Sequence, residues 1–320
     1  MAKVVATRRL PGDAFARIEA AGHELNYWEG DCPPPREKLL ELVAGAEGLI
    51  TTLEDRIDAE VMDAAGPGLK VIAQYAVGVD NIDLAAARKR GIRVTNTPGV
   101  LTEATADLAF ALLLAAARRV AEGDRFVREG RWKCWLPAGF LGPEVAGAKV
   151  LVVGFGRIGQ AFAKRAKGFG MEILYTSRTP KPEAEAELGA RRVELDEALP
   201  EADFVSLHVP LTPETERLFN EERLFRMKPG SVLVNTARGK VVDTEALVKA
   251  LKEGPLFAAG LDVTDPEPLP KDHPLTKFEN VVLTPHIGSA GRRTREKMAQ
   301  MVAENLLAVL AGREPPNPVV

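Results

Sequence analysis

Lys149-Val150-Leu151-Val152-Val153-Gly154-Phe155-Gly156-Arg157-Ile158-Gly159 decides how the rest of this chain is read. Its opening, Lys149 to Val153, is an apolar, β-branched run of strand length. Gly154 to Gly159 fits G-x-G-x-x-G, and Gln160 to Phe169 continues with helical spacing until Gly170 stops it. A second strand-like run, Met171 to Thr176, follows. The glycine pattern alone is weak, because glycine is common. Between a strand and a helix, inside a unit of about 30 residues, it has the context that a dinucleotide-binding turn requires. Gly154 then permits the tight turn, Gly156 lets the backbone approach a pyrophosphate, and Gly159 lets helix and strand pack closely. The anion would lie on free N–H groups at the positive end of the helix, so Phe155, Arg157 and Ile158 count with the glycines as cofactor-binding.

The end of the second strand refines the cofactor. A site for NAD usually carries Asp or Glu there, accepting a hydrogen bond from the ribose 2′-OH. This chain has Ser177-Arg178-Thr179, with Lys181 just beyond and no acid before Glu183. A carboxylate repels a 2′-phosphate, whereas a guanidinium and hydroxyls bind it. NADP(H) is therefore favoured. NAD(H) stays open, because Arg178 can instead stack on the adenine and tolerate either cofactor.

At 320 residues the chain is long enough for two ordinary domains. With 46% hydrophobic and 27% charged residues it can build real cores. A formal net charge of −3 gives no electrostatic reason to expect nucleic acid or an anionic membrane as partner. The two cysteines, Cys32 and Cys134, make neither a disulfide framework nor a metal cluster, and fit a reducing cytoplasm. Met1 to Leu10 has no apolar core of signal length. The most apolar stretch, Leu101 to Ala117, contains Glu103 and Asp107 and falls short of the roughly 20 apolar residues a spanning helix needs.

Strand-like and helix-like segments alternate from the start. Ala2–Thr7, His23–Trp28, Gly48–Thr52, Leu69–Tyr75 and Ile92–Asn96 read as strands. Pro11–Ala21, Pro35–Ala44, Asp58–Ala65 and Leu84–Arg90 read as helices between them. That pattern implies a parallel sheet covered on both faces, without its own dinucleotide turn. Thr97-Pro98-Gly99 punctuates the change of domain, and Thr102 is a plausible cap for a helix from Glu103 to about Arg119. This helix is apolar almost all round, so it must be covered on more than one side. Glu122 to Ala148 is irregular, with Trp132, Trp135, Pro137 and Phe140. Beyond the glycine turn, Phe204–Val209, Ser231–Asn235, Ala258–Val263 and Val281–Thr284 read as strands, with helices near Thr212–Phe225 and Thr244–Glu253. A long amphipathic helix spans about Arg293 to Leu310.

Ligands of open α/β sheets bind at the carboxyl ends of the strands. Three late strands put unusual side chains there: Arg238 in Asn235-Thr236-Ala237-Arg238-Gly239, Glu267 beyond Leu261-Asp262-Val263, and His286 in Leu283-Thr284-Pro285-His286. Singly, Arg238 reads as an ion-pair residue, Glu267 as a solvated loop acid and His286 as a packing residue. Together they suffice for reducing a 2-oxo acid. A guanidinium grips the carboxylate in a bidentate fork and polarises the adjacent carbonyl. A protonated imidazole delivers a proton to the carbonyl oxygen as hydride arrives at carbon, and a carboxylate beside it favours its charged form.

At this point the sequence resembles the D-isomer-specific 2-hydroxyacid dehydrogenase family over nearly its full length. The resemblance rests on Val77-Gly78-Val79-Asp80-Asn81-Ile82-Asp83, Thr95 to Thr102, the glycine turn, His208-Val209-Pro210-Leu211-Thr212, Lys228-Pro229-Gly230 through Gly239, Gly260 to Val263, and Thr284 to Gly288. Thr52 to Asp58, Ser177-Arg178-Thr179-Pro180 and the Trp-bearing loop are most similar to the glyoxylate/hydroxypyruvate reductases of that family.

The resemblance implies an α/β protein of two Rossmann-like, doubly wound parallel-sheet domains with a cleft between them. Residues 1–98 with 290–320 would form the substrate-binding domain and 99–289 the dinucleotide domain. Arg238 would bind substrate, Glu267 would pair with His286, and His286 would be the proton donor. Backbone N–H groups near Val77 and Gly78 would hold the substrate carboxylate, with Leu53 and Ser289 also on the substrate side. Asp262 would orient the nicotinamide carboxamide, and Thr105, Val209, Pro210, Thr215, Thr236, Ala237 and Gly288 would complete the cofactor contacts. A homodimer through the cofactor domain is implied, with Trp135 reaching toward the partner's site. Phosphoglycerate dehydrogenase is the near alternative, though that enzyme often carries a C-terminal regulatory domain and an acid after the second strand. Formate dehydrogenase usually has a glutamine where this chain has Glu267. A dinucleotide-sensing corepressor is the alternative of a different class.

Overall fold

Five short parallel strands build the first sheet, the inner ones apolar and the edge strand Glu24–Tyr27 alternating. In the computed structural model, which describes residues 1–320, Met1–Leu101 and Ala290–Val320 form one unit and Thr102–Ser289 another. The strands of the first unit are β1 (Lys3–Ala6), β2 (Glu24–Tyr27), β3 (Gly48–Thr51), β4 (Val71–Gln74) and β5 (Arg93–Thr95). All pair parallel, in the order β2-β1-β3-β4-β5, one of the two common doubly wound orders. β3 and β4 are buried at every position, as inner strands covered on both faces must be. On one face α1 (Ala14–Ala20) and the C-terminal helix Arg292–Leu310 pack over Val4, Ala6, Ile50, Val71 and Ala73. On the other lie α2 (Arg36–Val43), α3 (Ala59–Ala65) and α4 (Leu84–Lys89). Asp58 and Asp83 cap α3 and α4 by accepting from the Val61 and Ala86 N–H groups. The chain's last residues run along the open edge of β5: Val319 N–H donates to the Val94 carbonyl at 2.7 Å and Val94 N–H to Val320 at 3.2 Å.

The second unit begins with α5 (Thr102–Ala117) and α6 (Val120–Arg128). Then come β6 (Lys149–Val153), α7 (Arg157–Gly168), β7 (Glu172–Thr176), α8 (Pro182–Leu188), β8 (Arg191–Arg192), α9 (Leu195–Ala198) and β9 (Phe204–Leu207). It ends with α10 (Glu221–Arg226), β10 (Ser231–Asn235), α11 (Thr244–Lys252), β11 (Leu256–Leu261) and β12 (Val281–Leu283). The parallel sheet runs β12-β11-β10-β9-β6-β7-β8, so the direction of winding reverses between β6 and β9. That reversal is where such sheets take their ligands. α5 and α7 cover one face and α10 and α11 the other. α5 lies so close on β11 that a Cβ built on Gly260 would stand 2.9 Å from Leu112 Cβ.

Two expectations are corrected here. The helix expected to run to about Arg119 stops at Ala117, and Arg119, at φ +52°, starts α6 inside a region expected to be irregular. The Arg119 guanidinium donates to both Glu122 carboxylate oxygens, at 2.7 and 2.6 Å, which holds the break. The helix expected near Thr212–Phe225 shrinks to α10, because Arg217 adopts φ +50° and Asn220 caps a fresh start by accepting from Arg223 N–H. No helix is long and apolar enough to cross a membrane.

Candidate active site

The glycine turn joins β6 to α7 at the carboxyl edge of the second sheet, and its glycines differ in what surrounds them. Gly154 has φ +95°, and a Cβ there would stand 2.7 Å from the His208 carbonyl group. A Cβ on Gly159 would stand 2.1 Å from the Gly154 carbonyl oxygen. A Cβ on Gly156 would meet nothing within 4 Å, so the space in front of it is open. An open approach over a helix start, walled by two positions that exclude a side chain, fits a pyrophosphate. Phe155 points away from this space: its ring is buried and stacks on Tyr175 with centroids 4.0 Å apart. Arg157 is exposed and Ile158 half-buried.

The segment after β7 is tied at both ends. Ser177 Oγ donates to the Thr179 carbonyl at 2.5 Å, and Lys181 N–H donates to the Tyr175 hydroxyl at 3.0 Å. Arg178 is exposed. Facing it is the turn after β9, in which Thr215 Oγ1 donates to the Pro210 carbonyl at 2.6 Å and accepts from Thr212 N–H at 2.8 Å. The Thr212 side chain, helped by the charge of Arg178, holds the Glu214 carboxyl below its usual range. His208, next to Val209, is a packing residue. Its Nε2 meets Ser206 Oγ at 2.9 Å, its ring lies on Phe162, and burial pushes it down to about 3, so it stays neutral.

Arg238, Glu267 and His286 all follow strands of this sheet. Asn235, buried at the end of β10, brackets the Arg238 turn: its Oδ1 accepts from Ala237 N–H at 3.0 Å and its Nδ2 donates to the Arg238 carbonyl at 2.9 Å. Arg238 Nη1 donates to the Ala237 carbonyl at 2.8 Å. A Cβ on Gly239 would stand 1.9 Å from the Thr264 carbonyl oxygen, so only glycine lets this turn lie against the turn after β11. Glu267 sits in the latter turn. Its Oε2 accepts from Thr264 N–H at 3.1 Å and its Oε1 lies 2.6 Å from His286 Nδ1. Burial works to raise the Glu267 carboxyl, but the His286 hydrogen bond and the charges of His286 and Arg238 outweigh it and hold the group below its usual range. The Thr236 hydroxyl oxygen is buried and has no partner in the chain, as a group awaiting a ligand would be.

His286 has φ +53°, a backbone conformation that an L side chain rarely adopts. Asp262, at the end of β11 and 2% exposed, imposes it. Its carbonyl accepts from His286 N–H at 2.9 Å. Its Oδ1 accepts from Thr284 Oγ1 at 2.6 Å and Ile287 N–H at 2.8 Å, and its Oδ2 from Gly288 N–H at 2.7 Å. Burial pushes the Asp262 carboxyl up against the pull of these donors. A Cβ on Gly288 would stand 3.2 Å from Asp262 Oδ2 and 3.3 Å from the Thr105 methyl, so Thr105 lines the same turn and Ser289 ends it.

Leu53, Val77 and Gly78 belong to the first unit, at the carboxyl ends of β3 and β4. The carbonyls of Ala76, Val77 and Gly78 accept, in turn, from Thr97 N–H, Asn96 Nδ2 and Gln74 Nε2. The N–H groups of Val77 and Gly78 donate to no group of the chain, which leaves two adjacent backbone donors for a ligand. Gln74 is fully buried. It accepts from Thr51 Oγ1 at 2.5 Å and donates to Asn81 Oδ1 at 2.7 Å, and Asn81 Nδ2 holds the Thr52 and Asp55 carbonyls on either side of Leu53. Pattern reading passed over Gln74, because one amide inside an apolar strand resembles strand filler; a polar residue at a fully buried strand end was the available signal.

Comparison with known proteins follows this geometry. Residues 110–288 match the family model described as D-isomer specific 2-hydroxyacid dehydrogenase, NAD binding domain. The glyoxylate reductase of Korarchaeum cryptofilum is 56% identical over 316 residues, 98% of this chain and 95% of that protein. The TT0316 protein of Thermus thermophilus has a crystal structure that superimposes with a TM-score of 0.94 at 62% identity, covering 99% of this chain and 100% of that one. An NADPH-dependent glyoxylate/hydroxypyruvate reductase from Sinorhizobium meliloti, solved with NADP and malonate, superimposes with a TM-score of 0.86 at 34% identity, covering 100% and 97%.

Proposed function

The chain belongs to the D-isomer-specific 2-hydroxyacid dehydrogenases, and on that footing we propose that it reduces glyoxylate and hydroxypyruvate to the 2-hydroxy acids with NADPH as the preferred cofactor. The observation that carries the reading is the His286–Glu267 pair, 2.6 Å apart, beside the Arg238 turn. Glu267 accepts a hydrogen bond from Nδ1–H of His286, which orients the ring and leaves Nε2–H for the substrate. His286 gives that proton to the carbonyl oxygen. Arg238 grips a carboxylate and polarises the adjacent carbonyl; in the first unit, taken by itself, the free amides of Val77 and Gly78 suit a carboxylate. Ser289 borders the small substrate side chain. A nicotinamide cofactor, when bound, supplies the hydride. Gly154 to Gly159 hold its pyrophosphate, the Ser177-Arg178-Thr179 segment its 2′-phosphate, and the turn from Val209 to Thr215 borders its adenosine half. Thr105, Thr236, Ala237, Asp262 and Gly288 line its nicotinamide half.

Exposed Val120, Val127, Trp132, Trp135, Leu136 and Leu141 support a homodimer formed through the second unit. Two free, exposed cysteines support a reducing cytoplasm. The deciding assay follows oxidation of NADPH and of NADH with glyoxylate, hydroxypyruvate, pyruvate and 3-phosphohydroxypyruvate. NADPH with one of the first two should be fastest. NADH with the phosphorylated acid as the best pair would overturn the reading.

A further inference from the structure

Arg192 plays no part in the site described above. It ends β8, the short strand at the edge of the second sheet, where it pairs in register with Tyr175 of β7. The residue before it, Arg191, turns toward Glu172 and forms an ion pair at 3.7 Å. Arg192 turns the other way. Its Nε and Nη2 both donate to the Ser177 carbonyl oxygen, at 3.2 and 3.0 Å. It pairs with no carboxylate, and its Nη1 donates to no group of the chain. A guanidinium that spends two donors on a carbonyl and none on an acid keeps its whole charge for a third party. That charge is anchored to the backbone of the residue immediately before Arg178. The Ser177–Lys181 segment does not depend on it for shape, being closed by Ser177 Oγ on Thr179 and by Lys181 N–H on Tyr175.

We propose that Arg192 is a second cation of the 2′-phosphate subsite and a determinant of cofactor choice. The inference rests on the NADP(H) reading of Ser177-Arg178-Thr179. A 2′-phosphate dianion there is met by Arg178 from its own segment and by Arg192 from the neighbouring strand. An unphosphorylated ribose gains nothing from the second charge.

The test is calorimetric titration of the full chain with adenosine 2′,5′-bisphosphate and with 5′-AMP. Wild type is compared with Arg192→Gln, which can still donate to the Ser177 carbonyl but carries no charge, and with Arg192→Lys, which keeps the charge. Arg192→Gln should weaken the bisphosphate about tenfold and 5′-AMP by less than about twofold, while Arg192→Lys stays within about threefold of wild type for both. Added salt should narrow the gap between wild type and Arg192→Gln. Unchanged bisphosphate affinity in Arg192→Gln overturns the proposal. Equal weakening of both ligands also overturns it, because Arg192 would then only prop the segment. If wild type itself does not distinguish the two ligands, the NADP(H) reading fails first and takes this inference with it.

Discussion

Gly159 lies so close beneath Gly154 that a Cβ on the first would stand 2.1 Å from the carbonyl oxygen of the second, whereas a Cβ on Gly156 would meet nothing. The two substitutions should therefore fail differently. Gly159→Ala has to push backbone apart and should cost about 1–3 kcal/mol, visible as a lower Tm without ligand. Gly156→Ala should leave Tm nearly unchanged but weaken NADPH by about tenfold or more, because the methyl fills the approach to the pyrophosphate. Equal thermal losses in the two variants would contradict the assignment.

Asp262 accepts from Thr284, Ile287 and Gly288 while its backbone carbonyl holds His286 N–H. In Asp262→Asn one acceptor becomes a donor and must face a donor. A lost buried hydrogen bond of this kind costs about 1–3 kcal/mol, so Tm of the cofactor-free protein should fall. Loosening of the His286 turn should lower kcat by about a hundredfold. If Asp262 acted only on the nicotinamide carboxamide, the Tm without ligand would not move.

If His286 donates the proton as proposed, its orientation by Glu267, whose Oε1 lies 2.6 Å from Nδ1, sets the rate of reduction. In Glu267→Gln kcat for reduction should fall about a hundredfold, because an amide orients the His286 ring less firmly than a carboxylate does. Stability follows the sign of the Glu267 shift. Its folded value lies below the unfolded one, so its contribution is present above the unfolded value and lost as pH falls through the folded one. The Tm difference between wild type and Glu267→Gln should accordingly vanish in acid. An unchanged kcat in the variant would remove Glu267 from this role.

Gln74 ties Thr51, Asn81 and the Gly78 carbonyl into one buried network behind the free amides of Val77 and Gly78. Gln74→Leu fills the space and removes every one of these bonds. If the amides of Val77 and Gly78 take a carboxylate as proposed, KM for glyoxylate should rise about tenfold, with kcat changing less. A KM equal to wild type would show that the loop holds its shape without Gln74.

The parts of this molecule legible in its sequence are those whose signal is local. Ser231–Asn235 reads as a strand and is one, residue for residue, because a β-branched run between turn residues has few other fates. Arg238, Glu267 and His286 stand out because each follows a strand, where side chains of a parallel sheet meet ligands. α6 escaped because the break at Arg119 depends on one residue in the left-handed region and one ion pair. α10 is shorter than the helix expected over Thr212–Phe225 because no residue spacing reveals the left-handed backbone at Arg217. Arg192 and Gln74 act through partners 15 residues away or more, or through a network of buried amides, and no spacing rule points to either.

The face of the first sheet formed by Val4, Ala6, Ile50, Val71 and Ala73 is covered by α1 and by a helix from the opposite end of the polypeptide, Arg292–Leu310. On the ribosome, the strands emerge long before that helix is made. The intervening Rossmann unit can finish folding while its neighbour still shows an oily flank to solvent. Synthesis thus imposes a waiting period on the N-terminal segment, and during it the nascent protein is a natural client for chaperones.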